Sequence, residues 1–329
     1  MARESVGAAE YERLVARIGN EKFLARPYTG RREEMPVSEC VRKAALCDRA
    51  IPMASGTLTG LTPVIARLAV YRAENVLAAR GRETTAFTLL LSVPATMPEA
   101  EVRPFLREAY SAASFAAAEI IRQDTDTVTA HVTAYGEPYG AAEAAGAEAE
   151  AEAEADGPFS VILCGETGAE ETLLLYEENR ERLQAKYPSH FLAELPKTAD
   201  SLRKMALCKT AWEHGALYQY ACGDGGVYAG LYAMSERLRT GFTVELPEIP
   251  ISQKTIEICE ELDIDPYQIG AGGCVLMITK DTDRLLQALF EAGAEAAVIG
   301  TLRNDRLKEL RNKEESRCLE PFRGRKHKA

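Results

Sequence analysis

The sequence lacks the features of a membrane protein, a zinc protein or a general nucleic-acid-binding protein. No apolar run approaches the roughly 20 residues that a membrane-spanning helix requires, and the N-terminus opens into a charged stretch without an apolar signal core. HExxH is absent, and the four histidines show no ligand spacing. The net charge of -11 disfavours general nucleic-acid binding, because phosphate backbones are held by concentrated Lys and Arg. We expect neither nucleic acid nor membrane as a partner.

Paired cysteine spacing is also missing. The eight cysteines are scattered, and no two form a CxxC pair. Without secretion signals, such cysteines are typical of reduced thiols, which predicts a cytoplasmic protein. Cys274 is predicted to begin a buried strand, whereas Cys318 lies in a polar stretch and is the thiol we expect to be exposed. The basic segment 323–328 is interpreted as a solvated terminus.

The length of 329 residues suggests about two domains. The clearest boundary lies at 141–157, an Ala/Glu-rich stretch without large apolar side chains, which cannot bury enough surface to offset its ordering entropy. We predict an acidic linker or surface insertion there, with a functional acidic tract as the alternative. An N-terminal helix and lead-in (1–35), a first domain (36–140) and a second domain (158–329) complete the predicted organisation.

Apolar periodicity predicts an α+β fold in which both domains layer helices on mixed sheets. In the first domain, helices are expected over 63–79 and 98–121, and strands over 86–93 and 127–135. The longer helix would turn Ile120 towards the core, and the second strand would carry His131 on its more polar face. In the second domain, helices are expected near 170–186, 199–216, 226–238, 252–262 and 282–292, and strands near 159–164, 242–246, 274–279 and 295–301.

The turn Cys222-Gly223-Asp224-Gly225-Gly226 is the first candidate for ligand binding. It is predicted to join a helix ending near Tyr220 to a helix beginning near Val227. Glycines let the backbone approach a ligand closely, and N–H groups at a helix start attract anions. Asp224 would add a carboxylate able to hold a metal-bound phosphate. The alternative is a tight turn in which Asp224 caps the following helix.

Two further glycine-rich turns accompany it. Gly165 to Gly168 follows a predicted strand, and its Glu166, together with Glu170, could be polar site residues or plain helix-start acids. Gly270 to Cys274 enters another predicted strand. None of the three turns matches a Walker A pattern or a dinucleotide-binding GxGxxG in its proper context.

The order of these segments resembles a known family, the AIR synthase (PurM)-related superfamily, and within it the hydrogenase-maturation HypE-like branch. The resemblance covers about 159–322 and is carried by SVILCGETGAEETLLLYEENRERL, YACGDGGVYAGLYAMSE and GFTVELPEIPISQKTIEICEELDIDPYQIGAGGCVLMIT. A weaker resemblance to the family's N-terminal ATP-binding domain covers 63–136. It includes Asn75-x-Leu77-Ala78-x-Arg80-Gly81 and Asp124-Thr125.

The resemblance implies ATP and Mg²⁺ as cofactors, and phosphorylation of an amide or carbonyl oxygen as the inherited chemistry. It also implies a homodimer through the N-terminal sheets and a partner protein in hydrogenase maturation. It assigns Asp224 and Glu166 as catalytic residues, Gly225, Gly226, Asn75 and Asp124 as cofactor-binding residues, and Asp224 and Asp124 as metal ligands.

The sequence departs from the family pattern at its acidic positions. The family's Asn-Asp reads Asn75-Val76, its His-Asp reads Tyr220-Ala221, and no Asp-Asp pair occurs in 20–62. Losing carboxylates removes charges that hold a magnesium-bound triphosphate. The chain also continues past Cys318, whereas HypE ends in the cysteine that receives the transferred group. A non-catalytic paralogue that binds a nucleotide or a partner protein is therefore the alternative hypothesis, and an unrelated acidic scaffold is a third.

Overall fold

The computed structural model describes residues 52–139 and 158–322, together with helical positions Val37, Ser38, Val41, Ala45 and Asp48. The described residues belong to one compact unit. The predicted N-terminal helix, the Ala/Glu stretch 141–157 and the basic segment 323–328 lie outside them. Among the described helices, none combines the length and apolar character of a membrane span.

The first layer is a four-stranded mixed sheet with two helices. Its strands are β1 (Met53–Gly60), β2 (Arg82–Pro94), β3 (Ala117–Gln123) and β4 (Val128–Pro138), and its helices are α1 (Val64–Ala79) and α2 (Glu99–Ala112). The strand order is β1-β4-β2-β3, with β3 parallel to β2 and the other pairs antiparallel. β1 alternates strictly between exposed and buried residues, which places one face of the sheet against the core.

The second layer is a seven-stranded mixed sheet. Its strands are β5 (Ser160–Cys164), β6 (Tyr218–Ala221), β7 (Gly241–Glu245), β8 (Val275–Thr279), β9 (Ala296–Arg303), β10 (Lys308–Asn312) and β11 (Glu315–Cys318). They follow the order β11-β10-β7-β9-β5-β8-β6, in which β10 and β7 are parallel and the other pairs antiparallel. Every residue of β5 and β8 is buried, which explains their continuous apolar sequences.

Eight α-helices and two 3-10 helices, Leu195–Lys197 and Leu246–Glu248, accompany the second sheet over 158–322. The α-helices are α3 (Ala169–Glu178), α4 (Arg180–Lys186), α5 (Ser189–Leu192), α6 (Thr198–Ser201), α7 (Met205–Glu213), α8 (Gly226–Leu238), α9 (Gln253–Glu261) and α10 (Thr282–Glu291). Asp281 caps α10 by accepting a hydrogen bond from the Arg284 N–H at 3.3 Å.

Helix α1 is buried along almost its whole length because both layers cover it. Leu68 and Ala69 pack in the core of the first sheet, whereas Ala78 and Ala79 pack against residues of β5 and β8. The Trp212 indole N–H also donates to the Ala78 carbonyl at 3.2 Å. The polar side chains of α1 are therefore held at an interface between the two layers.

The predicted α+β fold with mixed sheets is confirmed. One prediction in the first layer is wrong, because the helix expected over 98–121 ends at Ala112 and 117–123 forms β3. The backbone turns extended at Ala113, and the β-branched Ile120 and Ile121 pair with β2. Ile120 is 45% exposed on this edge strand instead of facing the core.

Three predictions in the second layer also need correction. The segment ending near Tyr220 is strand β6, paired with β8, instead of a helix. The helices expected over 170–186 and 199–216 are each interrupted, the first at Asn179 and the second between α6 and α7.

In the first layer, His131 occupies its predicted polar face, where its Nδ1 lies 2.7 Å from the Thr57 hydroxyl. Of the described cysteines, Cys274 is buried and Cys318 is exposed, as predicted.

Candidate functional site

A buried arginine of α1, Arg72, lies where the two layers meet. Its Nε is 2.9 and 3.0 Å from the two carboxylate oxygens of Glu170, and its Nη2 is 2.6 Å from Glu170 Oε2. Its Nη1 donates to Asp224 Oδ1 at 2.6 Å and to the Thr57 carbonyl at 3.3 Å. Burial opposes the charge, but the carboxylates of Glu170 and Asp224 raise the pKa of Arg72 above its ordinary value. Arg72 therefore remains a cation.

Glu170, near the start of α3, is the buried partner of this pair, with a side chain only 2% exposed. Its Oε2 also accepts a hydrogen bond from the Gly272 N–H at 3.0 Å. A Cβ at Gly272 would lie 2.3 Å from Glu170 Oε1, so a larger residue would collide with the carboxylate. The glycine-rich turn before β8 thus accommodates a carboxylate of the chain itself.

Asp224 is the exposed partner, with 82% of its side chain accessible. It precedes Gly225 and Gly226, which have φ angles of 78° and 73° and lead into α8. Within the described residues, no side chain caps α8, so the capping interpretation of Asp224 is not supported. Its carboxylate binds Arg72 instead.

The helix starts of α3 and α8 and the 270–273 turn all contribute to this cluster. Helix N-termini carry partial positive charge, which favours anions. Two carboxylates surround one guanidinium, so the cluster is not a free cationic pocket. An anion could bind Arg72 only at the solvent-exposed position that Asp224 holds.

Asn75 lies nearly one helical turn beyond Arg72, but its amide is fully buried. Its Nδ2 donates to the Leu202 carbonyl at 2.8 Å and to the Gly272 carbonyl at 2.9 Å. Its Oδ1 accepts from the Lys204 N–H at 2.7 Å. The amide predicted to bind a cofactor is thus occupied by three backbone groups.

Glu166 follows β5 and is partly buried. Burial and the nearby Glu295 raise the pKa of Glu166, while Lys254 and Lys204 act in the opposite direction. Glu295 also lines a cavity of about 440 Å³, together with Pro250 and Phe290. The electrostatic partners of Glu166 therefore differ from those of Asp224.

Asp124 stands on the exposed turn after β3, in the first layer. Asp224 belongs to the second layer, and its described ion pair is with Arg72. In 52–139 and 158–322, no group of three or more His, Cys, Asp or Glu side chains could hold a metal ion. Mg²⁺ on a nucleotide takes one or two protein carboxylates, and of the two predicted here Asp224 is bound to Arg72 while Asp124 lies in the other layer.

Sequence reasoning missed Arg72. The signal was its position inside a helix predicted to be mostly buried, because a buried arginine needs a charged partner. The identity of that partner could not be found from spacing, since Glu170 is 98 positions away and Asp224 is 152 positions away.

Solved structures share the fold. Escherichia coli HypE matches with a TM-score of 0.64 at 16% identity, covering 95% of this chain and 99% of that chain. The chain has the HypE fold. A HypE structure in complex with ATP matches with a TM-score of 0.64 at 14% identity, covering 97% and 96%. A chain of a HypE–HypF complex matches with a TM-score of 0.63 at 16% identity, covering 82% and 90%. The predicted resemblance to HypE-like proteins is confirmed at the level of the fold.

A sequence relative supports the same comparison. A protein of Methanocaldococcus jannaschii, named for hydrogenase expression and formation, is 38% identical over 80 residues. The match covers 23% of this chain and 24% of that protein, so the chain matches about a quarter of the relative's length. No family model matches the chain.

Proposed function

We propose that this chain is a HypE-like cytoplasmic protein that binds a nucleoside triphosphate during hydrogenase maturation, together with a maturation partner. The observation that carries the proposal is the juxtaposition of Arg72, the exposed Asp224 and the Gly225-Gly226 start of α8. This combination offers a guanidinium and a helix N-terminus to phosphate. HypE structures supply support, since one of them is a complex with ATP and another is a complex with HypF.

The proposed chemistry is transfer of the γ-phosphoryl group of ATP to an amide or carbonyl oxygen, with ADP leaving. The phosphorylated oxygen then leaves as phosphate as nitrogen completes a nitrile or a new C–N bond at the same carbon. In this proposal, the backbone at Gly225 and Gly226 faces the phosphates, and Asp224 and Glu166 supply the carboxylates. Asn75 supports the site by holding the Gly272 turn, on which Glu170 also depends. Asp124, in the first layer, remains a predicted ligand of the cofactor and the metal.

A second candidate function is binding without turnover. It is favoured by one observation, the ion pairs of Arg72 with both Glu170 and Asp224, which occupy carboxylates that a catalytic metal would use. In this case the protein would bind a nucleotide or a partner without releasing phosphate. Measured phosphate release from ATP in the presence of candidate partner proteins separates the two candidates.

We expect purified protein to bind ATP in a calorimetric titration, with and without Mg²⁺. The matched ligand control is adenosine, which lacks the phosphates and should bind much more weakly if the cluster holds them. Equal dissociation constants for ATP and adenosine would exclude a phosphate site. No detectable binding at millimolar ATP would refute the proposed function.

We also propose a homodimer through the first sheet. One face of this sheet carries α1 and α2, whereas the other carries polar pairs such as Thr59 with Thr129, whose hydroxyls are 2.9 Å apart. The adjoining edge strand β3 exposes Ile120. Sedimentation at micromolar concentrations should give a dimer, and Ile120→Lys should weaken it, because lysine opposes edge pairing. Phe290→Lys, on α10, is the matched control. A wild-type monomer would contradict the prediction.

A further inference from the structure

The charge that neutralises phosphate in this site need not come from a metal. Mg²⁺ demands near-octahedral oxygen coordination at about 2.0–2.1 Å. Here the oxygens of Glu170 and Asp224 both lie 2.6 Å from nitrogens of one guanidinium. A dication at these carboxylates would compete with a buried cation for the same lone pairs and would be repelled by it.

We propose that Arg72 replaces Mg²⁺ as the charge that neutralises the phosphates, so that this chain binds ATP without a divalent cation. On binding, the phosphate displaces the Asp224 carboxylate from Arg72 Nη1. The inference rests on the proposed nucleotide binding. It assigns Arg72 as a ligand-binding residue and Asp224 as the group that occupies its place in the free protein.

The two carboxylates differ in the way that this exchange requires. Glu170 is 2% exposed and engages two nitrogens of Arg72, so its loss would leave a buried charge unpaired. Asp224 is 82% exposed and engages only Nη1. When this pair opens, water solvates the exposed Asp224 carboxylate, and the buried Arg72 keeps Glu170 as its charged partner. Glu170 therefore fixes the guanidinium plane, and Asp224 can leave.

The position vacated by Asp224 suits a phosphate oxygen. The Arg72 guanidinium is planar and always charged, and Glu170 holds it in one orientation. The start of α8 follows Asp224 directly, and although its Gly226 and Tyr228 N–H groups donate to the Gly223 and Tyr267 carbonyls at 3.3 Å, the positive end of the helix dipole favours an anion there. A phosphate there would replace the Asp224 carboxylate at the guanidinium and would lie near the positive end of the α8 dipole.

The test is a calorimetric titration with ATP in EDTA and, separately, in Mg²⁺. We expect wild-type affinity in EDTA to stay within about twofold of that in Mg²⁺. Asp224→Asn should tighten ATP binding, by up to about fivefold, because the phosphate would no longer have to displace a charged carboxylate from Nη1. Asp200→Asn is the matched control, because its carboxylate is also exposed and pairs with Arg67 instead. It should leave the affinity unchanged.

Arg72→Lys should weaken binding in EDTA by at least about tenfold, because a point charge cannot keep the paired contacts with Glu170 while reaching phosphate. Asp224→Asn alters an exposed side chain and keeps the inference testable if the Arg72 variant does not fold. If wild-type protein bound ATP only with Mg²⁺, or if Asp224→Asn bound ATP more weakly, this inference would be overturned and the proposed function would stand. Absence of ATP binding in both buffers would overturn it together with the proposed function.

Discussion

Gly226→Ala is expected to lower the free energy of unfolding by about 2–5 kcal/mol, the sum of left-handed backbone strain and overpacking. Gly226 has a φ of 73°, and an added Cβ would lie 2.4 Å from the Tyr267 carbonyl oxygen and 2.6 Å from that of Ile269. Both oxygens belong to the backbone, so neither can rotate away as a flexible side chain would. The start of α8, and with it the place of Asp224, depends on this glycine.

Urea unfolding measures the effect, and the same turn offers a matched control. At Gly223 an added Cβ would meet no atom within 4 Å, and no left-handed φ is required. Gly223→Ala is therefore expected to be neutral or to stabilise the fold by up to about 1 kcal/mol. Gly293→Ala isolates the backbone strain, because Gly293 has a φ of 77° and open space around it. Equal losses at Gly226 and Gly293 would show that the contact with Tyr267 and Ile269 is unimportant.

Most buried elements could be predicted from the sequence because their apolar pattern is local. Helix α1 and strands β4, β5 and β8 owe their existence to such patterns. β1 escaped prediction, since its Ser, Gly and Thr residues resemble a loop until β4 is placed beside it. The segment around Ile120 was assigned to a helix because Ile120 continued the core-facing apolar positions of that helix, yet pairing with β2 determined its structure.

The site was harder to predict than the fold because its contacts are long-range. The turn at Asp224 could be found from its glycines, and the requirement for glycine at Gly226 can be explained by its φ. No local pattern shows that Gly272 must admit Glu170, or that Arg72 joins both carboxylates. A motif indicates where the backbone can approach a ligand, whereas the charge at that place depends on residues far along the chain.

Asn75→Ala is expected to lower the free energy of unfolding by about 3–5 kcal/mol, because each buried group left unsatisfied costs about 1–3 kcal/mol. The substitution would leave the Leu202 carbonyl, the Gly272 carbonyl and the Lys204 N–H without their partner. These bonds tie α1 to two loops of the second layer. Denaturant unfolding, followed by far-UV circular dichroism, measures the loss.

Asn179→Ala is the matched control, because the same amide is removed where it donates one hydrogen bond, to Leu175 in the adjoining turn. We expect a loss of about 1 kcal/mol there. The comparison also decides between two roles for Asn75. If its variant kept wild-type stability but lost ATP binding, Asn75 would be a direct cofactor ligand, as the family resemblance implies. A large loss of stability would instead show that its amide holds the two layers together, leaving Arg72 as the polar group of α1 available to a phosphate.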